Sequence, residues 1–517
     1  MEVTGLSLVL SCAFITLIYA WKMLKWVWIS PRYQEKFLRQ HGFRGNSYRF
    51  LFGDFNHIRT LAREAKSKPI NFTNNIIPRV IPFIHEAVQK YGENCYLWFG
   101  PRAAVIITNP EVVREILQKS YIFQKPSGNP LGRLLAKGVA SYETDKWAKH
   151  RKLINPAFQT EKIKRMVPSF YLSCAEMLSK WEKIVPTQES CEVDVWPYLK
   201  TMTSDVISRT AFGSSYEEGR KIFELQQELA VLVMESMRSV YVPGLRFLPT
   251  KKNRRMKQLA KEMKTSILEI VSRRMKALKS GEKCSDDLLD LLLESNFKEM
   301  EEHGSKFGMS LEDVIEECKL FYFAGQETTA NLLVWTMILL SKHQDWQARA
   351  REEVLHVFGQ AKPDYQEINQ LKIINMILHE VLRLYPPGVM LTRMTLSESK
   401  FGNLSLPAGV QMMLPVILLH HDSRIWGEDA LEFNPERFGE GVAKATQGQI
   451  AYLPFGWGPR ICPGQNFSLL EAKLAVAMIL QRFSFRLSHS YAHAPQTVIT
   501  LQPQHGAQLI LERLLQY

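Results

Sequence analysis

The chain has 517 residues, 46% hydrophobic and 23% charged, which is the balance of a globular protein with a core and excludes a disordered or fibrous chain. Lys and Arg number 65 against 52 Asp and Glu, a net charge of +13; with no nucleic-acid motif and no basic stripe interleaved with aromatics, this excess points to a membrane surface and an acidic protein partner, not to nucleic acid. Seven Cys, at 12, 95, 174, 191, 284, 318 and 462, have no paired spacing, which argues against a disulfide framework and for a reducing cytosolic face.

Residues 1–30 read as a membrane anchor. Gly5 to Trp21 is apolar, and Met23, Leu24 and Trp26 to Ile29 extend it along the interface. No basic residue precedes this run, whereas Lys22, Lys25, Arg32, Lys36 and Arg39 follow it. That distribution opposes a cleaved secretory signal and puts the N-terminus in the lumen and the body in the cytosol. The sequons at Asn71, Asn403 and Asn466 are then expected to stay unglycosylated. Residues 31–54, polar and punctuated by Gly42, Gly45 and Gly53, read as a linker, and residues 55–517 as one large domain.

Within that domain, Cys95 to Phe99 and Ala103 to Thr108 are strand-like and split by Gly100-Pro101, after which Asn109-Pro110 opens a helix. This predicts a small β-rich lobe ahead of a helical body. Trp147 and Arg151 fall on one face of a helix, either as a surface cation–aromatic pair or as contacts to an anionic ligand. Lys146, Lys149 and Lys152 lie on the same helix, as a solvated face or as a docking patch, with His150 on the surface or on the ligand side. Glu217 to Arg238 and Lys251 to Lys279 are long helical patterns joined by the apolar connector Tyr241 to Pro249. Gly281 to Asp287 reads as a charged loop open to proteolysis.

Ser310-Leu311-Glu312-Asp313 has the form of a helix start, with an acid three residues after a capping Ser. The apolar helix that follows runs to about Ser341 and carries Ala324-Gly325-Gln326-Glu327-Thr328-Thr329, poor filling for a buried helix and a sign of local distortion that makes room for small molecules. Glu380 and Arg383, at i and i+3 among apolar neighbours, predict a buried ion pair that needs further hydrogen bonds; Arg437 supplies a second guanidinium. Phe455-Gly456-Trp457-Gly458-Pro459-Arg460-Ile461-Cys462-Pro463-Gly464 precedes a helical run from Phe467 to Arg482. Its glycines allow tight turns and close approach of a flat ligand, and Cys462 stands at the positive end of the next helix, where a thiolate is favoured. By itself an isolated Cys in a Gly-rich loop is more often a buried structural residue.

The spacing Phe-x-x-Gly-x-Arg-x-Cys-x-Gly resembles the haem-thiolate loop of the cytochromes P-450, and five motifs occur in that family's order. The run His41 to Tyr48 is similar to the corresponding region of the plant seventy-second family, without the Pro-rich hinge of many microsomal members. The resemblance implies a mainly α fold with a smaller β-rich lobe and an N-terminal transmembrane anchor. It implies haem b (iron protoporphyrin IX) ligated by Cys462, with Arg460, Trp147, Arg151 and Arg393 at the propionates and Phe455 and Gly464 against the ring. A thiolate ligand favours O–O cleavage. Thr328 would be the proton relay, linked to solvent by Glu327. Glu380, Arg383 and Arg437 would fix the Cys loop, and Tyr241 to Pro249 would roof the substrate site and dip into the bilayer. The implied activity is an NADPH- and O₂-dependent monooxygenase of the endoplasmic reticulum membrane, single-pass with a cytosolic body, served by NADPH–cytochrome P-450 reductase docking on the Lys146, Lys149 and Lys152 face. A haem enzyme that rearranges peroxides would not need the Glu327–Thr328 relay, and a haem sensor would need neither relay nor docking patch. The substrate implied is a small hydrophobic plant terpenoid of iridoid, triterpenoid or gibberellin type. Phe321, Tyr322 and Phe323 suit an apolar ligand, Thr392, His493 and Gln496 are candidate polar contacts, and the C-terminal strands Val498 to Leu501 and Gln508 to Leu511 are expected to line the pocket.

Overall fold

A computed structural model describes residues 2–126, 130–135, 137–187, 189–237, 239–280, 287–402 and 404–514. Asn403 and most of the charged loop from Gly281 to Asp287 lie outside the described residues. The N-terminal helix Glu2–Leu24 passes through a π-helical turn, Lys25–Ile29, directly into a second helix, Ser30–Gln40. This stretch is long and apolar enough to cross a membrane, and Leu10, Phe14, Leu17, Tyr19 and Trp21 are exposed on it. The turn has a local cause. Pro31 has no N–H to give to the Val27 carbonyl four residues back, and the Tyr48 hydroxyl donates to that carbonyl instead, at 2.7 Å.

The polar stretch 31–54 therefore begins as helix. Its polarity is that of an amphipathic element: Leu38, Gln34 and Glu35 are buried, Gln34 donates to the Ala408 carbonyl at 3.2 Å, and Glu35 accepts from Arg39 and from the Tyr48 backbone N–H. This approach helix is docked on the body by those contacts.

The β-rich lobe is a six-stranded sheet in the order Arg44–Gly45, Cys95–Phe99, Arg102–Ile106, Gln411–Leu414, Leu391–Thr395, Phe123–Gln124. Two of its central strands come from residues near 400, so the lobe is not simply N-terminal to the helical body. Arg102–Ile106 and Gln411–Leu414 pair in parallel, a pairing that requires a long crossover. Here the crossover is most of the helical body.

The central helix, Leu311–Lys342, organises that body. Ser310 and Asp313 form the expected capping box, each side chain bonded to the other's backbone N–H, worth about 1 kcal/mol. The helix is buried on all sides from Thr329 to Ser341. Trp335 stacks on Tyr385 with ring centroids 4.5 Å apart, and its indole N–H donates to the Leu501 carbonyl at 2.9 Å. The helices Tyr216–Met237 and Lys251–Lys279 lie where the periodicity puts them, and their connector exposes Phe247 and Leu248 by 68% and 50%.

Near the C-terminus the strand expected over 498–501 is instead the turn of a hairpin, Pro495–Thr497 paired with Leu501–Pro503. The strand Gln508–Arg513 joins Phe483–Leu487 and Ser190–Asp194 in a separate sheet.

Candidate active site

The Cys462 loop closes on itself: the Cys462 backbone N–H donates to the Phe455 carbonyl at 2.9 Å. Gly456 and Gly458 have φ of +72° and +71°, which favours glycine at both. A Cβ on Gly458 would lie 3.0 Å from the Leu117 carbonyl oxygen, so this close approach is to the end of the helix Pro110–Gln118, not to a ligand. Gly464 has φ −86° and caps the helix Gln465–Arg482. The Cys462 Sγ faces a cavity of about 380 Å³, whose wall also includes Phe455, Gly464, Thr328, Trp147, Phe321 and Leu382. Burial pushes the Cys462 thiol up, against the pull of the Gly464 backbone N–H and the Arg151 charge. The helix start is thus outweighed by desolvation until something binds the sulfur.

Four cations line the same cavity, Lys125, Arg151, Arg393 and Arg460, and no carboxylate does so among the described residues. Arg151 and Trp147 come from the helix Thr144–Ile154; Arg151 donates to the Ile461 carbonyl at 2.8 Å, tying that helix to the Cys loop. The Arg460 guanidinium lies 4.2 Å from the Trp147 ring centroid. It also donates to the Tyr142 carbonyl at 2.8 Å and pairs with Glu143, the one nearby carboxylate. Arg393, on the strand Leu391–Thr395, is 4% exposed and bonds only its neighbour's carbonyl, Thr392, at 2.8 Å. Burial and then the Arg460 charge bring it down to about 10. Lys125 donates to the Ala140 carbonyl at 2.5 Å and is lowered to about 8 by burial and by Arg393 and Arg460. Sequence reading missed Lys125 because no motif surrounds it; its partner strand brings it in. Desolvated cations in such excess fit a ligand bearing two negative charges, on an otherwise apolar body.

On the far wall the central helix runs unbroken through Ala324 to Thr329. The expected interruption is absent, and the unusual composition does other work. A Cβ on Gly325 would lie 2.6 Å from Ile207 Cδ1, so this glycine lets the central helix press against Val195–Phe212. Thr328 turns its hydroxyl onto the Ala324 carbonyl at 2.7 Å, a bond that a helix interior offers β-branched hydroxyls. Glu327 accepts from the Thr500 hydroxyl at 2.7 Å.

Behind the loop, Glu380 and Arg383 are both fully buried and bonded twice, at 2.7 Å each. Arg383 also donates to the carbonyls of His420, Ala430 and Glu432. Arg437 stands 3.7 Å from Glu380 and pairs with Asp429 at 2.8 Å. The helix bearing the pair, Lys372–Leu384, starts on Glu353, which accepts three of its free N–H groups.

Several expectations fail. His150 is wholly buried, with Nδ1 2.6 Å from Glu317 of the central helix, so it is neither a surface nor a ligand-side residue. The lysine patch, by contrast, stays on the surface: Lys146 and Lys152 are 47% and 63% exposed while they pair with Asp313 at 2.7 Å and Glu299 at 2.8 Å, and Lys149 donates to the Gly308 carbonyl at 2.9 Å. These lysines hold the helix against its neighbours. His493 is core, bonded to Tyr491 and the Thr73 carbonyl. Neither it nor Thr392, Gln496 or the strand Gln508–Arg513 lines the Cys462 cavity. Tyr322 stacks on Phe212 at 4.0 Å in the core, and Phe323 faces a different cavity. Of the three aromatics only Phe321 reaches the site.

A family model described as cytochrome P-450 matches residues 79–510. Cytochrome P-450 CYP72A219 of Panax ginseng is 60% identical over 507 residues, 98% of each chain. Cytochrome P-450 72A15 of Arabidopsis thaliana is 54% identical over 516 residues, 99% of this chain and 100% of the relative. Secologanin synthase 1 of Catharanthus roseus is 53% identical over 504 residues, 97% of this chain and 96% of the relative.

Proposed function

Because the chain belongs to the cytochrome P-450 family of haem-iron monooxygenases, alongside members of its plant seventy-second family, we propose that it oxidises an apolar plant terpenoid with O₂ and NADPH-derived electrons. The electrons come through NADPH–cytochrome P-450 reductase. The N-terminal helix fits a membrane anchor, and the protein resides in the endoplasmic reticulum membrane with its body in the cytosol.

The observation that carries this reading is the pairing of Cys462, open to the cavity, with four desolvated cations around that same apolar space. The residues fit haem b, which when bound supplies O₂ activation at a thiolate-ligated iron. Cys462 would hold the iron, and Arg393, Arg460, Arg151 and Lys125 would neutralise the two propionates, with Trp147 packed on Arg460. Phe455 and Gly464 would lie against the ring. Glu380, Arg383 and Arg437 hold the loop that presents the sulfur. Thr328 and Glu327 handle protons on the opposite wall, Thr328 offering its lone pairs to the cavity while its own proton rests on Ala324. Leu320, Phe321, Leu332, Leu382 and Leu391 give the cavity an apolar lining that binds a terpenoid skeleton by area. The kinship with secologanin synthase 1 supports a plant terpenoid.

The test is spectroscopic and then chemical. The purified full-length protein, reduced under CO, gives the red-shifted thiolate band, and Cys462→Ser abolishes it together with activity. Titration with iridoid, triterpenoid and gibberellin probes, plus fatty acids, shifts the haem spin state for a terpenoid, and mass spectrometry with reductase and NADPH finds an oxygenated product. A Cys462→Ser protein that kept both band and activity would end the thiolate reading; fatty-acid turnover with no terpenoid bound would end the substrate reading alone.

A further inference from the structure

Two cavities meet at one hydroxyl. Besides the Cys462 cavity there is a second, of about 490 Å³, on the outer side of the central helix against Val195–Phe212 and Tyr216–Met237. Its lining mixes apolar side chains with polar ones, among them Lys200, Ser204, Glu224, Gln227, Gln326 and Gln502. Glu327 lines this outer cavity, as do Val498 and Ile499 of the hairpin turn. The next residue of that turn, Thr500, lines the inner one. Turn and helix together form the wall between the cavities, and its polar contact is the Thr500–Glu327 hydrogen bond.

Thr500 is 6% exposed, and its hydroxyl uses its donor and one of its two lone pairs. Its Oγ1–H donates to Glu327 Oε1 at 2.7 Å, while Oγ1 accepts from Asn331 Nδ2 at 2.8 Å. The same Asn331 nitrogen donates to the Glu327 backbone carbonyl at 2.7 Å, which fixes the amide on the central helix. Thr328, by contrast, gives its proton to the Ala324 carbonyl and has no bond to the Glu327 carboxylate. The acid of the motif is therefore coupled to the hairpin turn and not to the threonine beside it.

We propose that Thr500 positions Glu327 at this wall and passes protons from it into the Cys462 cavity. This rests on the monooxygenase reading, which requires protons there. The step balances. A hydronium ion reaching the outer cavity from solvent protonates the Glu327 carboxylate and is left as water. The carboxylic acid then becomes a donor, so Thr500 accepts from both Glu327 and Asn331 and its own O–H turns inward, since a hydroxyl offers one donor and two lone pairs. The Thr500 proton leaves to an acceptor in the inner cavity as the Glu327 proton bonds to Oγ1. One proton crosses, Thr500 ends neutral, Glu327 ends ionised, and nothing is oxidised. Charge on Glu327 sets which way the hydroxyl points. The charged groups that face it across the outer cavity are Lys200 and Glu224.

The experiment needs no substrate. Full-length holoenzyme, chemically reduced, is mixed with O₂ in H₂O and in D₂O, and the decay of the oxygenated absorption band is followed. Thr500→Val keeps the shape and removes the hydroxyl; it should slow the decay by about a hundredfold, the low end of what a positioned proton donor contributes, and reduce its solvent isotope effect. Thr500→Ser should restore both. The reduced CO band should be the same in all three proteins. Wild-type decay and isotope effect in Thr500→Val, with that band intact, would overturn the relay and leave the monooxygenase reading standing. Slow decay in Thr500→Ser as in Thr500→Val would also overturn it, as a packing effect. A wild-type protein with no thiolate band would sink the monooxygenase reading and the relay with it.

Discussion

Two clusters of buried charge flank the Cys462 loop, and the chain settles them in opposite ways. Behind the loop, Arg383 has five donors and five bonds, two to Glu380 and three to carbonyls. In front of it, Arg393 has one bond to its neighbour's carbonyl, and three further cations share a cavity that no described carboxylate lines. Both clusters are desolvated, so the difference is not burial. The first is finished by protein and needs nothing else. The second carries positive charge that only a ligand can complete. The contrast separates a device that holds a loop in place from a site that receives an anion, although both are arginines in a core.

The comparison breaks if equivalent truncations act alike. Arg383→Met strands the Glu380 carboxylate in the core and should cost about 3–5 kcal/mol, enough to remove most folded protein. Denaturant unfolding of any recovered protein, or its absence from the soluble fraction, reads this directly. Recovery of fully stable protein would mean that the pair is not needed to hold the loop. Next in size is Glu317, which joins the central helix to the helix that carries Trp147 and Arg151 by accepting from His150, and to the preceding turn Gly138–Ala140 by accepting from the Val139 N–H at 3.1 Å. Glu317→Gln should lower stability by about 1.5–3 kcal/mol, the range for hydrogen bonds to a charged group. The midpoint of urea unfolding checks it, with an unchanged slope expected.

Arg393→Met should do the reverse of Arg383→Met. Without haem it removes a desolvated, poorly paired charge, and the haem-free protein should unfold at the same temperature or slightly higher. With haem, a lost charge-assisted contact of about 1.5 kcal/mol or more should speed haem transfer to an acceptor protein roughly tenfold. A variant that lost stability without haem would erase the distinction between the two clusters.

Legibility in the sequence follows the same divide. The Cys loop, the capping box at Ser310 and the Glu380–Arg383 pair are local: spacing along one helix or turn is enough to write them down, and the fold has them as expected. Lys125, Thr500 and Asn331 could not be read, because each acquires its place from a segment far along the chain. Thr500 lies in a hairpin turn where a strand over Val498 to Leu501 is expected; Pro495–Thr497 pairs instead with Leu501–Pro503, and Val498 and Ile499 in the turn line the outer cavity. The basic helix face was legible only in part. Three lysines at helical spacing say which side of the helix is charged, but the carboxylates that pair with Lys146 and Lys152, Asp313 and Glu299, come from other helices. The polar stretch after the anchor was read as linker because polarity alone does not show amphipathicity when the surface it packs on is supplied by Tyr48 and Ala408.

The smallest effect sharpens the contrast most, because it has a sign that depends on pH. Lys125 falls from 10.5 to about 8 in the folded chain, through burial first and then Arg393 and Arg460. A depressed lysine weakens the fold: below pH 8 it is charged in both states and the full penalty applies, and above 10.5 it is neutral in both and the penalty is gone. Between those values the unfolded state binds more protons, so stability rises with pH. Lys125→Met should therefore stabilise the haem-free protein at pH 7, by about 1 kcal/mol or less because water filling the cavity screens the ammonium. That advantage should shrink from pH 8 and vanish near 10.5. With haem bound, a propionate beside the ammonium restores the charged form, so the same substitution should give no stabilisation at pH 7 and should speed haem release. Thermal unfolding of the two proteins, with and without haem, across pH 7 to 10.5 checks all four arms. An advantage for Lys125→Met that persisted with haem bound would place the lysine outside the anion's reach and return the cavity's charge to three arginines.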